Sequence, residues 1–96
     1  AWSATGLPSA PAVRKGASAI FDGKRVLVWG GTNGTALNTG GIYDPTTNSW
    51  GAPITPTGAP TPRFDHVAHW LGNKMFIWGG FNGTVYANTG GLYSPG

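Results

Sequence analysis

The sequence predicts an all-β protein, and three observations support that class. Glycine recurs every few residues along the 96-residue chain, which disfavours helices. Short apolar runs lie between glycine-containing turns, as is typical of strands. The same order of residues then occurs twice, with matching positions about 49 residues apart. Neither copy shows a helical period of apolar residues.

The repeat defines the organisation of the chain. Trp29-Gly30-Gly31 recurs 49 residues later as Trp78-Gly79-Gly80. Further pairs recur at spacings of 48 to 50 residues: Trp2 and Trp50, Pro11 and Pro60, Arg14 and Arg63, Tyr43 and Tyr93. The small differences in spacing require single-residue changes of length, which belong in loops.

Each unit is predicted to form four short antiparallel strands. The predicted strands are residues 18–21, 25–29, 41–43 and a segment around Trp50 in the first unit, and residues 66–71, 74–78 and 91–93 in the second. Asp22-Gly23 and Gly72-Asn73 are predicted as the central residues of the two tight hairpins. The apolar runs 26–29 and 75–78 do not alternate with polar residues, so we expect both of their faces to be covered.

The combined motif resembles the kelch repeat. In the first unit it comprises Arg14, an apolar hairpin, Gly30-Gly31, Tyr43-Asp44-Pro45 and Trp50. The resemblance, closest to bacterial kelch repeats, covers nearly the whole chain and implies a β-propeller of four-stranded blades, two per chain. Such repeats often have a histidine after the arginine. His66 fits that pattern in the second unit, whereas Ala17 stands there in the first.

The resemblance predicts two domains and a mode of assembly. Residues 1–48 comprise a closing fourth strand and three strands of the first unit, and residues 49–96 comprise the remaining fourth strand and three strands of the second. Known propellers have at least four blades, so two cannot close a ring. We therefore expect a cyclic homo-oligomer in which the strand around Trp2 completes a blade of its neighbour. Three chains would give six blades, the commonest kelch count and the first expectation, and four chains would give eight. The alternative is a fragment of a larger secreted kelch protein.

The aromatic residues and the arginines supply the candidate sites. The repeated aromatics are predicted to form the interblade core and the assembly surfaces: Trp2, Trp29, Tyr43, Trp50, Trp78 and Tyr93. Phe81 and Tyr86 are not repeated and are predicted on a loop, where they could contact a glycan or a peptide. Arg14 and Arg63 either attract an anion at the channel mouth or bond to loop carbonyls between blades.

The sequence disfavours catalysis and predicts no enzyme activity or cofactor. It has three Asp, no Glu and no Cys, so paired carboxylates and thiolate metal sites are poorly supported. Asp65, His66 and His69 are the weak metal candidates. On a strand Asp65 and His69 would lie about 13 Å apart with His66 pointing away, so no metal site is predicted.

Charge and hydropathy exclude two classes of partner. The net charge of +3 reflects scarce acids, since 9% of residues are charged, which argues against nucleic acid. No apolar run approaches the roughly 18–20 residues of a membrane span. The low charge and the absence of cysteine favour an extracellular bacterial protein, or a designed recombinant one, without deciding the compartment.

Overall fold

The computed structural model describes residues 1–6 and 8–95, and that part of the chain forms strands without helices. The all-β prediction is therefore confirmed. The strands are β1 (Ser18–Phe21), β2 (Val26–Trp29), β3 (Gly40–Asp44), β4 (Ser49–Trp50), β5 (Val67–Trp70), β6 (Met75–Trp78) and β7 (Gly90–Tyr93). No helix able to cross a membrane is present in these residues.

The strands form two antiparallel sheets, consistent with two blades. Blade 1 has the order β1-β2-β3-β4, and blade 2 has the order β5-β6-β7. In blade 1 Leu27 pairs with Ile20 on one side and with Ile42 on the other. In blade 2 Phe76 occupies the corresponding place between His69 and Leu92. Both sheets are meanders, as the repeat predicts.

The two hairpins use glycine at the first central position of the turn. Gly23 has a φ of 100° and Gly72 a φ of 96°, a region that favours glycine. The predicted central pair Asp22-Gly23 was wrong by one residue. Asp22 precedes the turn, and its carboxylate accepts hydrogen bonds from the N–H groups of Lys24 (2.9 Å) and Arg25 (2.6 Å). The hairpin at Gly72 was predicted correctly, with the Leu71 N–H bonded to the Lys74 carbonyl at 2.8 Å.

The core lies between the two blades. It contains Leu27, Trp29 and Ile42 from blade 1, Met75 and Ile77 from blade 2, and Ile54 from the connecting segment. In β2 and in β6 only alternate residues are fully buried. The expectation that both faces of these strands are covered was therefore wrong for a single chain. Among the described residues, each sheet packs against the other sheet on one face, and its opposite face lies open.

Candidate functional site

The 49-residue repeat gives each residue of one blade an equivalent in the other, and equivalents can be compared directly. Trp29 of blade 1 packs in the interblade core and is 2% exposed. Its equivalent, Trp78, lies on the opposite side of blade 2 and is 46% exposed. We call this side the open face of blade 2. It carries five residues of one sheet face: Val67, His69, Phe76, Trp78 and Leu92.

The open face of blade 2 is mostly apolar. Phe76 and Trp78 stack with ring centroids 6.5 Å apart and an interplanar angle of 11°. Leu92 is exposed, whereas its equivalent in blade 1, Ile42, is buried. The side chains that form the core on blade 1 thus have equivalents on blade 2 that face solvent. Contiguous apolar surface of this kind is typical of an interaction site.

Blade 1 has the complementary open face. Val26 and Val28 are the equivalents of the buried Met75 and Ile77, and they are only partly covered. Phe21 lies on the same side of the sheet and is exposed. This face of blade 1 therefore corresponds to the face that blade 2 turns towards the core.

The segments that precede the two blades also correspond. A Cβ on Gly41 would lie 2.8 Å from Cγ of Pro11, and a Cβ on Gly91 would lie 2.8 Å from Cγ of Pro60. Each proline thus lies against a glycine of the third strand, which leaves room for it. The segment with Pro60 lies inside the interblade contact. The segment with Pro11 presents the equivalent surface on the open face of blade 1.

Within the part of the chain that the structure describes, three backbone hydrogen bonds join the blades. The Gly31 N–H donates to the Arg63 carbonyl at 2.9 Å, and the Arg63 N–H donates to the Leu37 carbonyl at 3.1 Å. The Asp65 N–H donates to the Gly16 carbonyl at 2.9 Å. These bonds fix the loops of the two blades relative to one another.

The equivalent groups on the open faces have no protein partner within residues 1–6 and 8–95. On blade 2 they are the Gly80 N–H and the carbonyls of Ala87 and Asp65. On blade 1 they are the Arg14 carbonyl and the N–H groups of Arg14 and Gly16. The two open faces therefore offer donors and acceptors in the same order as those already paired between the blades.

Strand β7 lies at the edge of its sheet. In blade 1 the equivalent strand, β3, pairs with β4, and Trp50 packs on Tyr43 with ring centroids 5.2 Å apart. Beside Gly91 and Tyr93 a cavity of about 130 Å³ takes the place of such a tryptophan. Trp2, the sequence equivalent of Trp50, is fully exposed and forms no strand pairing.

The two arginines bind loop carbonyls of their own blades. Arg63 is 1% exposed, and its Nη1 donates to the carbonyls of Gly79 (3.0 Å) and Thr89 (2.7 Å). Arg14 donates in the same way to Gly30 (3.0 Å) and Thr39 (2.7 Å). Burial lowers the pKa of both guanidinium groups. The expectation that these bonds run between blades was wrong, because each arginine fastens the loop between the second and third strands of its own blade.

Phe81 and Tyr86, the predicted ligand contacts, lie together in the loop between β6 and β7. Their ring centroids are 4.7 Å apart, and Tyr86 is 85% exposed. Phe64 adds a third ring, 5.6 Å from Phe81, and sequence reasoning missed it. The signal was present, since Lys15 stands at the equivalent position and Phe64 is therefore unrepeated. We call these three residues the aromatic loop cluster.

The weak metal candidates occupy three different environments. Asp65 is exposed at a positive φ of 56°, and His69 lies on the open face of blade 2. His66 lies between the blades, where its Nε2 is 2.9 Å from Ser18 Oγ and its ring meets Trp29 edge-on. The described residues contain no group of three ligand-type side chains that could hold a metal ion.

One four-stranded and one three-stranded antiparallel meander pack face to face and are related by a sequence repeat, an arrangement consistent with two propeller-type blades. The chain belongs to the kelch-repeat family, because the model of the KLHDC2/KLHL20/DRC7 Kelch-repeats domain matches residues 2–94. The resemblance found in the sequence is thereby confirmed. No curated protein matches the chain at a significant level. Kelch-repeat domains are generally non-enzymatic modules of protein interaction.

Proposed function

We propose that this chain is a non-catalytic propeller module that assembles with copies of itself. The open face of blade 2 would dock on the open face of blade 1 of the next copy and repeat the contact between blades 1 and 2. The observation that carries this proposal is the correspondence of polar groups. The unpaired Gly80 N–H and Arg14 carbonyl are the equivalents of Gly31 and Arg63, which are hydrogen-bonded within the chain.

The apolar surfaces support the same partner. Docking would cover Phe76 and Trp78, as Leu27 and Trp29 are covered between the blades of one chain. Large exposed apolar patches are uncommon on monomers, and a repeat unit normally buries its faces against neighbouring units. A second copy satisfies both the apolar and the hydrogen-bonding pattern of these faces.

Strand addition is the second element of the proposal. The segment around Trp2 would pair with the edge of β7 in a neighbouring copy and form the fourth strand of blade 2 there. Trp2 would then occupy the cavity beside Gly91 and Tyr93, as Trp50 lies against Gly41 and Tyr43. An unpaired strand edge is a ready template for such an addition.

Native mass spectrometry and light scattering test the assembly. Three copies of the 9.9 kDa chain have a mass of about 30 kDa and form six blades, our first expectation, and four copies have about 40 kDa. A monodisperse species at 9.9 kDa would overturn the proposal and favour flanking blades of a longer chain as the natural neighbours.

Two variants separate the docking face from the added strand. Trp78→Lys should abolish assembly while the blades stay folded, because this side chain is half exposed in the single chain. Tyr86→Lys is the matched control, because it places the same charge on an aromatic that is more exposed (85% against 46%) and lies outside both open faces. Deletion of residues 1–4 should prevent ring closure. An unchanged mass after that deletion would contradict strand addition but leave face-to-face docking intact.

The aromatic loop cluster favours a second function, the binding of a peptide or a glycan. Phe64, Phe81 and Tyr86 present a continuous aromatic surface on loops above a rigid sheet, and aromatic rings stack well on both kinds of ligand. Peptide and glycan arrays probed with the chain, beside the Tyr86→Ala variant, test it. Absence of any signal that depends on Tyr86 would rule the function out.

A further inference from the structure

The contact between the blades contains one pair of hydrogen-bonded side chains within residues 1–6 and 8–95. His66 Nε2 lies 2.9 Å from Ser18 Oγ, and the imidazole meets Trp29 with ring centroids 5.0 Å apart at 76°. The other ring nitrogen, Nδ1, is buried without a hydrogen-bond partner. Ser18 is therefore the side chain that pairs with Nε2 of this half-buried imidazole.

Both members of this pair change together in the other copy of the repeat. Ala17 stands at the place of His66, and Val67 stands at the place of Ser18. Val67 lies on the open face of blade 2 and is paired in the sheet with Trp78, as Ser18 is paired with Trp29. A polar pair inside the chain thus corresponds to an apolar pair on the two open faces.

The glycines beneath these positions show the same difference. A Cβ on Gly30 would lie 2.6 Å from Cε1 of His66, so the imidazole lies directly against this backbone. At the equivalent Gly79 the nearest atom to such a Cβ is the Ala87 carbonyl oxygen, 3.8 Å away. The space above Gly79 is open, and the small side chain of Ala17 is the one that an adjoining copy would bring to it.

We propose that these two pairs determine which blade faces fit one another, an inference that rests on the proposed assembly. His66 fits Ser18 within the chain, and Ala17 of one copy fits Val67 of the next. If the members of the two pairs were exchanged, His66 would face Val67. Both imidazole nitrogens would then be buried without hydrogen-bond partners, which is costly. A crossed contact of Ala17 with Ser18 would leave a gap beside Trp29. Each of the two contacts therefore has its own matched pair of residues.

A double-mutant cycle within the chain tests the pairing itself. The variants are Ser18→Val, His66→Ala and the two combined, which recreate the apolar pair inside the chain. Ser18→Val should raise the unfolding equilibrium constant roughly tenfold, because the buried imidazole loses its partner. The combined variant should unfold less readily than the product of the single effects predicts. Independent, multiplicative effects in urea unfolding followed by tryptophan fluorescence would overturn the pairing.

A second cycle tests the contact between copies. Ala17→His should raise the dissociation constant of the ring roughly tenfold, because the imidazole would face Val67. Adding Val67→Ser should restore assembly towards that of the unaltered chain, although Val67→Ser alone should weaken it. Ring formation by Ala17→His equal to that of the unaltered chain, or failure of the second change to restore it, would contradict the inference.

The two cycles keep the inference separate from the proposed assembly. An unaltered chain that stays at 9.9 kDa overturns the assembly and, with it, the contact between copies. The first cycle needs no oligomer, so it still decides whether positions 18 and 66 are coupled. Circular dichroism of all variants confirms that the sheets are formed before any mass is interpreted.

Discussion

Blade 1 and blade 2 have nearly the same sequence pattern but differ in what covers them. Trp29 and Trp78 are equivalent, yet the first is buried against the neighbouring sheet and the second lies open. Leu27 and Phe76 differ in the same direction. The apolar runs of β2 and β6 are therefore suited to packing against a sheet on each of their two faces. Among the described residues of one chain, each run has a sheet on one face only.

The two arginines show which properties of a blade depend on its own sequence and which depend on the neighbouring blade. Arg14 and Arg63 make the same bonds to the loop carbonyls of their own blades. Only Arg63 is fully buried, because blade 1 covers it, whereas Arg14 lies towards an open face and is half-buried. Bonding within a blade is thus set by the blade's own sequence, and burial is set by its neighbour. Four predictions test this distinction.

The largest effect is expected at Arg63. Arg63→Ala removes a buried guanidinium, leaves the Gly79 carbonyl without its donor and leaves the Thr89 carbonyl with the Gly79 N–H alone. We expect the free energy of unfolding to fall by about 4 kcal/mol. Arg14→Ala, the matched control, should cost about half as much in the single chain because the Arg14 guanidinium is only half-buried. Equal losses in urea titrations would show that burial by blade 1 adds nothing.

The next effect compares two core positions. Leu27→Ala leaves a cavity in the interblade core and should lower the free energy of unfolding by about 3 kcal/mol. Phe76→Ala, at the equivalent position, should cost about 1 kcal/mol or less in a dilute single chain. At concentrations where the ring forms, the two variants should converge in thermal stability. A persistent difference under those conditions would argue against docking on the open face of blade 2.

A smaller effect is expected from the protonation of His66. Burial, followed by the charge of Arg63, lowers the pKa of His66 below its usual 6.5, although Asp65 and the Trp29 backbone act in the opposite direction. The unfolded chain therefore takes up a proton at a pH where the folded chain does not. The contribution of His66 to stability is therefore fully present above about pH 6.5 and is lost as the pH decreases. The unfolding equilibrium constant should rise by no more than about tenfold per pH unit.

His66→Ala supplies the control for that pH dependence. It places in blade 2 the residue that blade 1 has at the equivalent position, and it should flatten the change in stability between pH 7 and the acid range. His69→Ala, which removes the exposed histidine on the open face of blade 2, is the comparison variant. Loss of the pH dependence in His69→Ala, but not in His66→Ala, would show that His66 is not its source.

The smallest effect is expected in the aromatic loop cluster. Tyr86→Ala should change the free energy of unfolding by less than about 0.5 kcal/mol, because the side chain is largely in solvent. Phe81→Ala should cost about 1 kcal/mol, since Phe81 contacts both Phe64 and Tyr86. Differential scanning calorimetry can measure both. A large loss for Tyr86→Ala would indicate a structural role rather than an accessible binding surface.

Much of the fold was predictable because it is encoded locally. The Asp-Gly and Gly-Asn turns, the glycine pairs after Trp29 and Trp78, and the 49-residue spacing located all the strands to within about two residues. The position of Asp22 in the turn was wrong by one residue, because Asp is favoured both at the residue before the central pair and within that pair.

The candidate site was less predictable because it depends on contacts between distant residues. The pattern predicted Trp78 for the interblade core or an assembly surface but could not show which of the two it joins. Phe64 was missed since it lies outside the predicted loop and meets Phe81 only in the folded chain, through a backbone bridge and ring packing. The coupling of His66 with Ser18 joins residues 48 positions apart, and no local signal indicates which partner an isolated histidine will find.

The bonding of Arg63 also bears on the response of the protein to ionic strength. This buried cation is held by neutral carbonyl and hydroxyl oxygens at short range, not by a carboxylate. The ion pair found within residues 1–6 and 8–95 is Arg25 with Asp22, at 3.6 Å beside a hairpin turn. Dissolved salt screens interactions between charges and leaves hydrogen bonds of this kind largely unaffected. The blades should accordingly keep their stability from dilute buffer to concentrated brine.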